Sequence, residues 1–290
     1  MENRKVLIIG DTGMLGQAIL AELRSRGYPV IGASRSSDDY KLDLKNEESV
    51  RTCFDSIQPE LVINCAAIVS VDGCEQNPEE AYMINGRIPG ILSELCKKGG
   101  SYYIQISTDH FFTGDRDKSH DENCPVHIVN EYARTKYIGE CLSLTYDNCL
   151  VLRTNVVGFR GKGPDTFIEW IIRCMKEETT MTLYNDFYTS SINSVDFARI
   201  LADLIESHPV GLLNLASSEV VNKKTFIMEL VKEISGHYPD YKEESIHDVS
   251  RTRRADSIGL DTSHVEKILG YKMPTFHETI NSIANDYRRT

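Results

Sequence analysis

The sequence lacks the features of a membrane or secreted protein. None of its apolar runs approaches the ~20 residues that a membrane-spanning helix needs. The first apolar stretch, Val6–Ile9, is too short for the core of a secretory leader, and no cleavage site follows it. The chain also has no Asn-x-Ser/Thr glycosylation sequence. We therefore expect no membrane partner and a cytoplasmic location.

Paired cysteine motifs are also missing. The 290 residues include eight cysteines but no Cys-x-x-Cys pair. Several cysteines fall inside apolar segments, which favours reduced, buried thiols over disulfides. His120, Cys124 and His127 are close in sequence, but a fourth ligand is not apparent, so we expect no metal site.

Positive charge is scarce. The chain has 32 Lys and Arg residues against 43 Asp and Glu residues, a net charge of −11. This balance argues against nucleic acid or an anionic membrane surface as a partner. A protein of this charge that binds an anion must gather local positive potential. The candidate residues are Arg35, Arg153, Arg160, Lys162, Arg251, Arg253 and Arg254.

The first half of the chain contains short apolar runs that alternate with amphipathic segments. The predicted strands are Lys5–Gly10, Pro29–Ala33, Leu61–Cys65, Ser101–Ser107 and Cys149–Arg153. Such alternation predicts βαβ units and a parallel sheet. We therefore predict an α/β fold with a Rossmann-type doubly wound parallel sheet. The predicted domains are residues 1–155 and a smaller C-terminal substrate-binding α/β portion, 156–290, with some segments returning to the first domain.

A glycine-rich turn follows the first predicted strand directly. Gly10, Gly13 and Gly16 form a Gly-x-x-Gly-x-x-Gly pattern between that strand and a helix. Glycines allow backbone N–H groups to approach a pyrophosphate, and the helix N-terminus adds positive partial charge. The pattern predicts a dinucleotide-binding site, and a glycine-bearing turn without a ligand is the alternative.

The end of the second predicted strand discriminates between the two nicotinamide cofactors. An NAD site would place an acidic residue there to bind the ribose 2′-OH. This sequence has Ser34-Arg35-Ser36 instead. A guanidinium holds a 2′-phosphate through two parallel hydrogen bonds. We predict NADPH in preference to NADH. Asp38 and Asp39 lie close by, and a surface arginine is the alternative.

A tyrosine and a lysine share one face of a predicted helix. Tyr132 and Lys136 are spaced i, i+4. A nearby cation favours the phenolate, which acid–base work near neutral pH requires of a group whose free pKa is about 10. Ser107 and Thr108 end the fourth strand, where a hydroxyl can hydrogen-bond a substrate carbonyl. Taken singly, a helix-surface pair and a strand-end turn explain these residues as well.

Three motifs together resemble the extended short-chain dehydrogenase/reductase superfamily. They are the glycine turn, the strand-end pair Ser107-Thr108 and the Tyr132-x-x-x-Lys136 spacing. Further segments are similar to the dTDP-4-dehydrorhamnose reductase family, over essentially the whole chain. They are Asn64-Cys65-Ala66-Ala67, Val71-Asp72, Glu75-x-x-Pro78, Asn85, Ser107 to Gly114, Asn130 to Lys136, Leu152-Arg153-Thr154, Arg253 to Ser257 and Leu260 to Ser263.

The resemblance implies reduction of a 4-keto group on a nucleotide-linked 6-deoxysugar by NADPH. Tyr132 would protonate the developing alkoxide, Lys136 would hold the nicotinamide ribose, and Thr108 would hydrogen-bond the substrate oxygen. The predicted cofactor residues are Gly10, Thr12, Gly13, Met14, Leu15, Gly16, Ser34, Arg35, Asp43, Leu44, Cys65, Ala66, Ala67, Asn85, Tyr132 and Lys136. The predicted substrate residues are Asp109, His110, Asn155 and Arg253.

Departures from the family pattern concentrate on the expected substrate side. His110 stands where the family has a tyrosine, and Asn155-Val156-Val157 replaces a segment that commonly carries an aromatic residue. The family's Asp-Gln-x-Gly-x-Pro-Thr is only echoed by the segment Asp186 to Ile192. The reductase chemistry is therefore better supported than the rhamnose precursor as substrate.

Two alternatives to the reductase remain open from sequence. One is a sugar-nucleotide epimerase or dehydratase of the same superfamily, although the acidic pair that a dehydratase uses is incomplete at Asp109. The other is a non-catalytic NADP-binding module that resembles the regulatory subunit of methionine adenosyltransferase. The resemblance is compatible with a homodimer, whose contact residues the sequence does not identify.

Overall fold

The computed structural model describes residues 5–249 and 252–289. Its strands are β1 (Val6–Ile9), β2 (Val30–Ser34), β3 (Tyr40–Lys41), β4 (Leu61–Asn64), β5 (Tyr102–Ile106), β6 (Ser119–His120), β7 (Cys149–Arg153), β8 (Val156–Val157), β9 (Met181–Tyr184), β10 (Tyr188–Thr189), β11 (Ile192–Asn193), β12 (Gly211–Asn214), β13 (Val221–Asn222), β14 (Tyr241–Glu244) and β15 (Ser257–Leu260).

Helices alternate with the strands in the first half of the chain and dominate its end. They are α1 (Met14–Ser25), α2 (Glu47–Ile57), α3 (Val71–Gln76), α4 (Pro78–Ala81), α5 (Ile88–Gly99), α6 (Glu131–Ser143), α7 (Phe167–Lys176), α8 (Ser194–Ser207), α9 (Lys223–Ser235), α10 (Ile246–Val249), α11 (Ser263–Leu269) and α12 (Phe276–Arg289). A π-helical segment, Tyr82–Arg87, joins α4 to α5. None of the helices in the described ranges combines the length and apolar character that a membrane crossing requires.

The chain divides into two compact units. The first unit comprises residues 1–108, 130–153 and 198–213, and the second comprises 109–129, 154–197 and 214–290. The units alternate along the sequence, so no single cut separates them. The functional division at residue 155, into a cofactor-binding and a substrate-binding part, stays a prediction.

The first unit is organised by a sheet of seven strands in the order β12-β7-β5-β4-β1-β2-β3. The pairs from β7 to β3 are parallel. The chain leaves β1 in one direction for β2 and later returns past it to β4. Because crossovers between parallel strands are right-handed, α1 and α2 cover opposite faces of the sheet. The order reverses between β1 and β4, the point at which doubly wound sheets bind ligands. The predicted fold class is therefore confirmed.

Alternate residues of β1 lie on opposite faces of this sheet. Leu7 and Ile9 are buried in a core that also contains Phe54 of α2 and Leu92 of α5. On the other face, Ile19 of α1 is fully buried. Strand side chains alternate between faces, and both faces of a sheet flanked by helices are apolar, which explains the continuous run Val6–Ile9.

The second unit has small sheets around a helical core. One sheet has the order β13-β10-β15-β6, and the pairs β11-β8 and β14-β9 stand apart from it. Helices α7, α9 and α12 contribute Ile171, Phe226 and Ile283 to one apolar core. The last helix begins with a capping box, because Glu278 N donates to Thr275 Oγ1 at 3.2 Å and Thr275 N donates back to Glu278 Oε2 at 2.8 Å.

The predicted elements agree with the structure to within a few residues. A helical stretch runs from Pro78 to Gly99, and the segment Tyr82–Arg87 within it is a π-helix. The cysteines are unpaired as predicted, and five of them are buried. The short strand β3 was not predicted, since two residues carry no periodic signal.

Close backbone packing fixes α6 against the π-helical segment. A Cβ built on Gly139 would lie 2.2 Å from the carbonyl oxygen of Asn85, which is far inside van der Waals contact. The obstacle is backbone, so a side chain there forces the two helical segments apart.

We expect Gly139→Ala to lower the free energy of unfolding by about 1–3 kcal/mol because of this overlap. Helix propensity alone predicts the opposite sign, a gain of up to about 1 kcal/mol. Urea unfolding measures the difference. Cys141→Ala, at an exposed position of the same helix, is the control. A Gly139→Ala variant that is as stable as the wild type would contradict the packing argument.

Candidate active site

The glycine turn after β1 is built from backbone contacts that exclude side chains. Gly10 has φ +87°, and its N–H donates to Ala33 O at 2.8 Å. A Cβ on Gly10 would lie 2.8 Å from Ala66 N, and one on Gly16 would lie 2.1 Å from Gly10 O. Only glycine fits these two positions, and the turn therefore lies directly against the loop after β4, at the reversal of strand order.

The helix that follows the turn begins without a side-chain cap. Gly13 is the N-cap of α1, and no acidic residue occupies the first turn. By contrast, the Asn46 and Asn130 side chains cap α2 and α6. The first N–H groups of α1, at Met14 to Gly16, therefore have no side-chain acceptor within the helix. This glycine cradle fits the pyrophosphate of a dinucleotide.

Hydroxyl groups gather where β2 ends. Thr12 Oγ1 lies 3.1 Å from Ser34 Oγ, and Ser36 Oγ donates to Thr12 Oγ1 at 3.3 Å. Arg35 is exposed beside them in the chain. Asp39 Oδ2 accepts hydrogen bonds from Arg24 Nη2 at 2.6 Å and from Gly32 N at 2.9 Å. The Asp39 carboxylate is therefore engaged in hydrogen bonds within the protein.

The glycine turn contains a buried carboxylate, Asp11, that was not identified from the sequence. Asp11 Oδ2 accepts a hydrogen bond from Ser37 Oγ at 2.7 Å. A Cβ on Gly32 would lie 2.4 Å from that same oxygen, so the glycine makes room for it. Asp11 therefore ties the turn to the segment after β2. The Gly-x-x-Gly pattern gives no signal for the direction of an intervening side chain.

Two predicted cofactor residues after β3 have structural contacts. Asp43 Oδ1 accepts from Lys45 N at 3.0 Å, and Leu44 is buried in the core of the first unit.

The loop after β4 is held by two carboxamides. Asn64 Oδ1 accepts from Ala66 N at 3.2 Å. Asn85, in the π-helical segment, accepts from Ile68 N at 2.8 Å and donates to Ile68 O at 3.0 Å. Asn85 therefore clamps this loop at two points. Cys65 precedes Ala66 and Ala67 in the loop, and burial raises the pKa of its thiol to about 12, which keeps it protonated.

Tyr132 and Lys136 begin α6 as predicted. The Tyr132 side chain is buried and packs with Val71, Cys74 and Ala81. Lys136 is 4% exposed, and its Nζ donates to Ile106 O at 2.8 Å, at the end of β5. Burial lowers the pKa of Lys136 to about 8, against the opposing influence of Glu140. Thr108, two residues beyond Ile106, is also buried.

Arg153 does not serve as a free positive charge, contrary to its place among the anion-gathering candidates. Its Nη2 donates to Glu140 Oε2 at 2.8 Å, and both side chains are almost fully buried. Ser107 Oγ donates to Glu140 Oε1 at 2.6 Å. Glu140 carries no sequence signal, because its partners lie on other elements.

The predicted substrate residues Asp109 and Asn155 lie together in the second unit. Asn155 Nδ2 donates to Asp109 Oδ2 at 2.8 Å, and Ser191 Oγ donates to Asn155 Oδ1 at 2.8 Å. Thr189 Oγ1 is 3.1 Å from Ser191 Oγ. A polar chain through the half-buried Asn155 thus joins Asp109 to the echo of the family motif at 186–192.

Lys223 is a buried lysine near the polar chain of Asp109, Asn155 and Ser191. It was not identified from the sequence. Lys223 is 9% exposed, and its Nζ lies 4.2 Å from the ring centroid of Phe167. Its ammonium has no hydrogen-bond acceptor among the residues that the structure describes. Burial lowers the pKa of Lys223 to about 8, and Asp109 opposes this effect. No motif marks a lysine that opens a helix, so only the tertiary structure reveals it.

His110 lies in the same surroundings. Its ring meets that of Phe187 edge-on, with centroids 6.4 Å apart. Burial, together with the positive charges of Lys223 and Arg254, lowers the pKa of His110 to about 4. The imidazole is therefore neutral at pH 7.

One residue of the C-terminal arginine motif, Asp256, makes structural hydrogen bonds. Asp256 accepts hydrogen bonds from Thr113 Oγ1 at 3.0 Å and Gly114 N at 2.8 Å, which joins two segments of the family resemblance. Arg253 is exposed. Arg251 lies outside the described residues. Within those residues, no cluster of three or more His, Cys, Asp or Glu side chains is arranged to hold a metal ion.

Comparisons with known proteins agree with this architecture. The chain is 29% identical over 287 residues to a probable low-salt glycan biosynthesis reductase of Haloferax volcanii, an alignment that covers 95% of this chain and 96% of the relative. It is 30% identical over 209 residues to a dTDP-4-dehydrorhamnose reductase of Aggregatibacter actinomycetemcomitans, which covers 71% of this chain and 69% of the relative.

A solved structure has the same fold. The crystal structure of dTDP-4-dehydrorhamnose reductase from Bacillus anthracis in complex with NADP superposes with a TM-score of 0.88. The superposition covers 99% of this chain and 100% of that chain at 23% identity. The family described as "RmlD substrate binding domain" matches residues 4–289. Because that match spans nearly the whole chain, the protein belongs to the RmlD substrate binding domain family.

Proposed function

We propose that the protein is an NADPH-dependent reductase of a nucleotide-linked 4-keto-6-deoxysugar in glycan precursor biosynthesis. The observation that carries this proposal is the position of Tyr132 and of the buried Lys136 ammonium on one face of α6, at the carboxyl end of β5. The names of the relatives, a glycan biosynthesis reductase and a dTDP-4-dehydrorhamnose reductase, support the same reaction class.

The residues of the first unit that would hold the cofactor are those of the glycine turn and of the β2 end. Gly10, Gly13 and Gly16 leave the backbone open to a pyrophosphate, and Thr12, Ser34 and Arg35 would receive the 2′-phosphate. When bound, NADPH supplies the hydride for the reduction. The relative of known structure binds NADP, in accordance with this assignment.

The chain's own contribution to the reaction is proton transfer and charge. Tyr132 donates the proton that the sugar oxygen takes up as C4 is reduced. Thr108 hydrogen-bonds that oxygen, and Lys136 holds the cofactor ribose and biases the phenol toward proton transfer. Donors positioned at a developing oxyanion are commonly the largest catalytic contribution.

Recognition of the sugar is assigned to the second unit. The buried Asp109 and the half-buried Asn155 are hydrogen-bonded to each other, and Lys223 offers an ammonium without an acceptor in the described chain. A buried ammonium is costly unless a ligand completes its hydrogen bonds. We therefore propose that Lys223 binds a sugar oxygen, beside a His110 that is neutral at pH 7.

The epimerase and the non-catalytic module remain as alternatives with different outcomes. An epimerase would regenerate its cofactor and consume no NADPH. A binding module would consume none and would change no sugar. The relative that aligns over nearly its whole length is named a probable reductase, which favours net reduction.

Replacement of Tyr132 by Phe removes the proposed proton donor and retains the ring. We expect kcat for NADPH-dependent reduction of a 4-keto sugar nucleotide to fall by about 10²–10⁴-fold, with NADPH affinity nearly unchanged. Absorbance at the nicotinamide band measures turnover, and fluorescence measures binding. Tyr137→Phe on the same helix is the control. Full activity of Tyr132→Phe would exclude the proposed donor.

Replacement of Arg35 by Ala removes the proposed partner of the 2′-phosphate. A hydrogen bond to a charged group contributes about 1.5–3 kcal/mol, so we expect KM for NADPH to rise roughly ten- to hundredfold. KM for NADH should stay the same because it lacks the phosphate. The exposed Lys41 provides the control as Lys41→Ala. An equal loss with both cofactors would contradict the assignment.

Replacement of Lys223 by Met keeps the length of the side chain and removes its charge. We expect KM for the sugar nucleotide to rise about tenfold or more, while the Kd for NADPH stays unchanged. The neighbouring Lys224 pairs with Glu243 at the surface, so Lys224→Met controls for charge. A rise in stability without any change in KM would mean that Lys223 does not contact the sugar.

A further inference from the structure

A buried carboxylate lies one helical turn beyond the lysine of α6. Glu140 is 1% exposed and follows Lys136 at i+4, on the same face of the helix. Three donors converge on it, since Ser107 Oγ lies 2.6 Å from Oε1, and Arg153 reaches it with Nε at 3.1 Å and Nη2 at 2.8 Å. A carboxylate this deep is retained only when such donors compensate its lost hydration.

The donors belong to two neighbouring strands. Ser107 directly follows β5, and Arg153 is the last residue of β7. These strand ends are also joined by the backbone, because Ser107 N donates to Leu152 O at 2.7 Å. Glu140 therefore fixes three elements at one point, namely α6, the end of β5 and the end of β7. Thr108 directly follows Ser107, the residue that Glu140 holds.

The carboxylate also acts on the charge of Lys136. Burial disfavours the ammonium, and Glu140 is the largest influence that favours it. The Ile106 carbonyl accepts one hydrogen bond from Nζ but carries no net charge. Without Glu140, the lysine would face its desolvation with only a neutral partner.

We propose that Glu140 is a positioning residue for the reaction: it keeps Lys136 charged, and through Ser107 it holds the strand end that presents Thr108. This inference rests on the proposed function, in which those two residues act on cofactor and substrate. A purely structural ion pair would anchor the same elements without influencing the protonation of the lysine.

The test neutralises the ion pair without leaving one charge buried alone. Glu140→Gln by itself would strand the Arg153 guanidinium and endanger folding, so the informative variant is the double replacement E140Q/R153M. An opposite charge at close range moves a pKa by about 1–3 units. The wild-type ammonium is lost as pH rises through about 8. In the double variant the loss should occur at lower pH, by less than the full effect of one carboxylate because the Arg153 cation is removed as well.

Two measurements read this shift. Competitive acylation across pH, followed by mass spectrometry of the Lys136 peptide, reports the fraction of neutral amine without any turnover. The pH profile of kcat should show its alkaline limb displaced by the same amount. Glu140→Asp retains the carboxylate and should keep both curves within a few tenths of a pH unit of wild type. E94Q/K98M removes a surface ion pair and serves as the matched control.

The outcomes separate this inference from the proposed function. An acylation curve that is unchanged in a folded E140Q/R153M variant overturns the inference, and Glu140 is then only a structural ion partner. If the double variant does not fold, Glu140→Asp provides the test. A lowered midpoint of the acylation curve in this variant, which retains the carboxylate, would contradict the inference. If the wild type reduces no keto sugar while acylation still shifts, the proposed function fails and the link between Glu140 and Lys136 stands.

Discussion

The first unit depends on one electrostatic constraint, a lysine ammonium buried beside the end of a central strand. Lys136 is only 4% exposed, so the protein must supply most of its partners. The Ile106 carbonyl provides one hydrogen bond, and the Glu140 carboxylate provides charge. Glu140 in turn needs Ser107 and Arg153, which belong to two further elements. The ammonium therefore requires α6, β5 and β7 to be in register with one another.

Close approach of backbones is the second requirement. Gly10 lies against Ala66 where the strand order reverses, and Gly139 lies against Asn85 where α6 meets the π-helical segment. In both places a single methyl group would overlap backbone atoms. The first contact shapes a turn that is open to a phosphate-bearing ligand, and the second brings α6 close to the segment that clamps the loop after β4. The glycines thus position both halves of the proposed cofactor site.

The second unit carries the departures from the family pattern. Its polar chain from Asp109 through Asn155 is fully bonded, whereas the Lys223 ammonium nearby finds no acceptor within the described chain. His110 is neutral in the same surroundings because burial and neighbouring positive charge disfavour its protonation. Under the proposed function, the proton-transfer residues Tyr132 and Lys136 lie in the first unit, while His110 and Asn155, which depart from the family pattern, lie in the second.

The sequence by itself determined the sheet, the glycine turn and the position of Tyr132 and Lys136 on one helix, because these depend on periodicity and on spacing within a few residues. The five predicted strands begin and end within one residue of the observed strands. The tertiary structure alone decided the partners of buried charge. Glu140 and Arg153 are distant from Ser107 in sequence, and Lys223 is more than a hundred residues from Asp109. Desolvated charges select partners by distance in space, which no local pattern encodes.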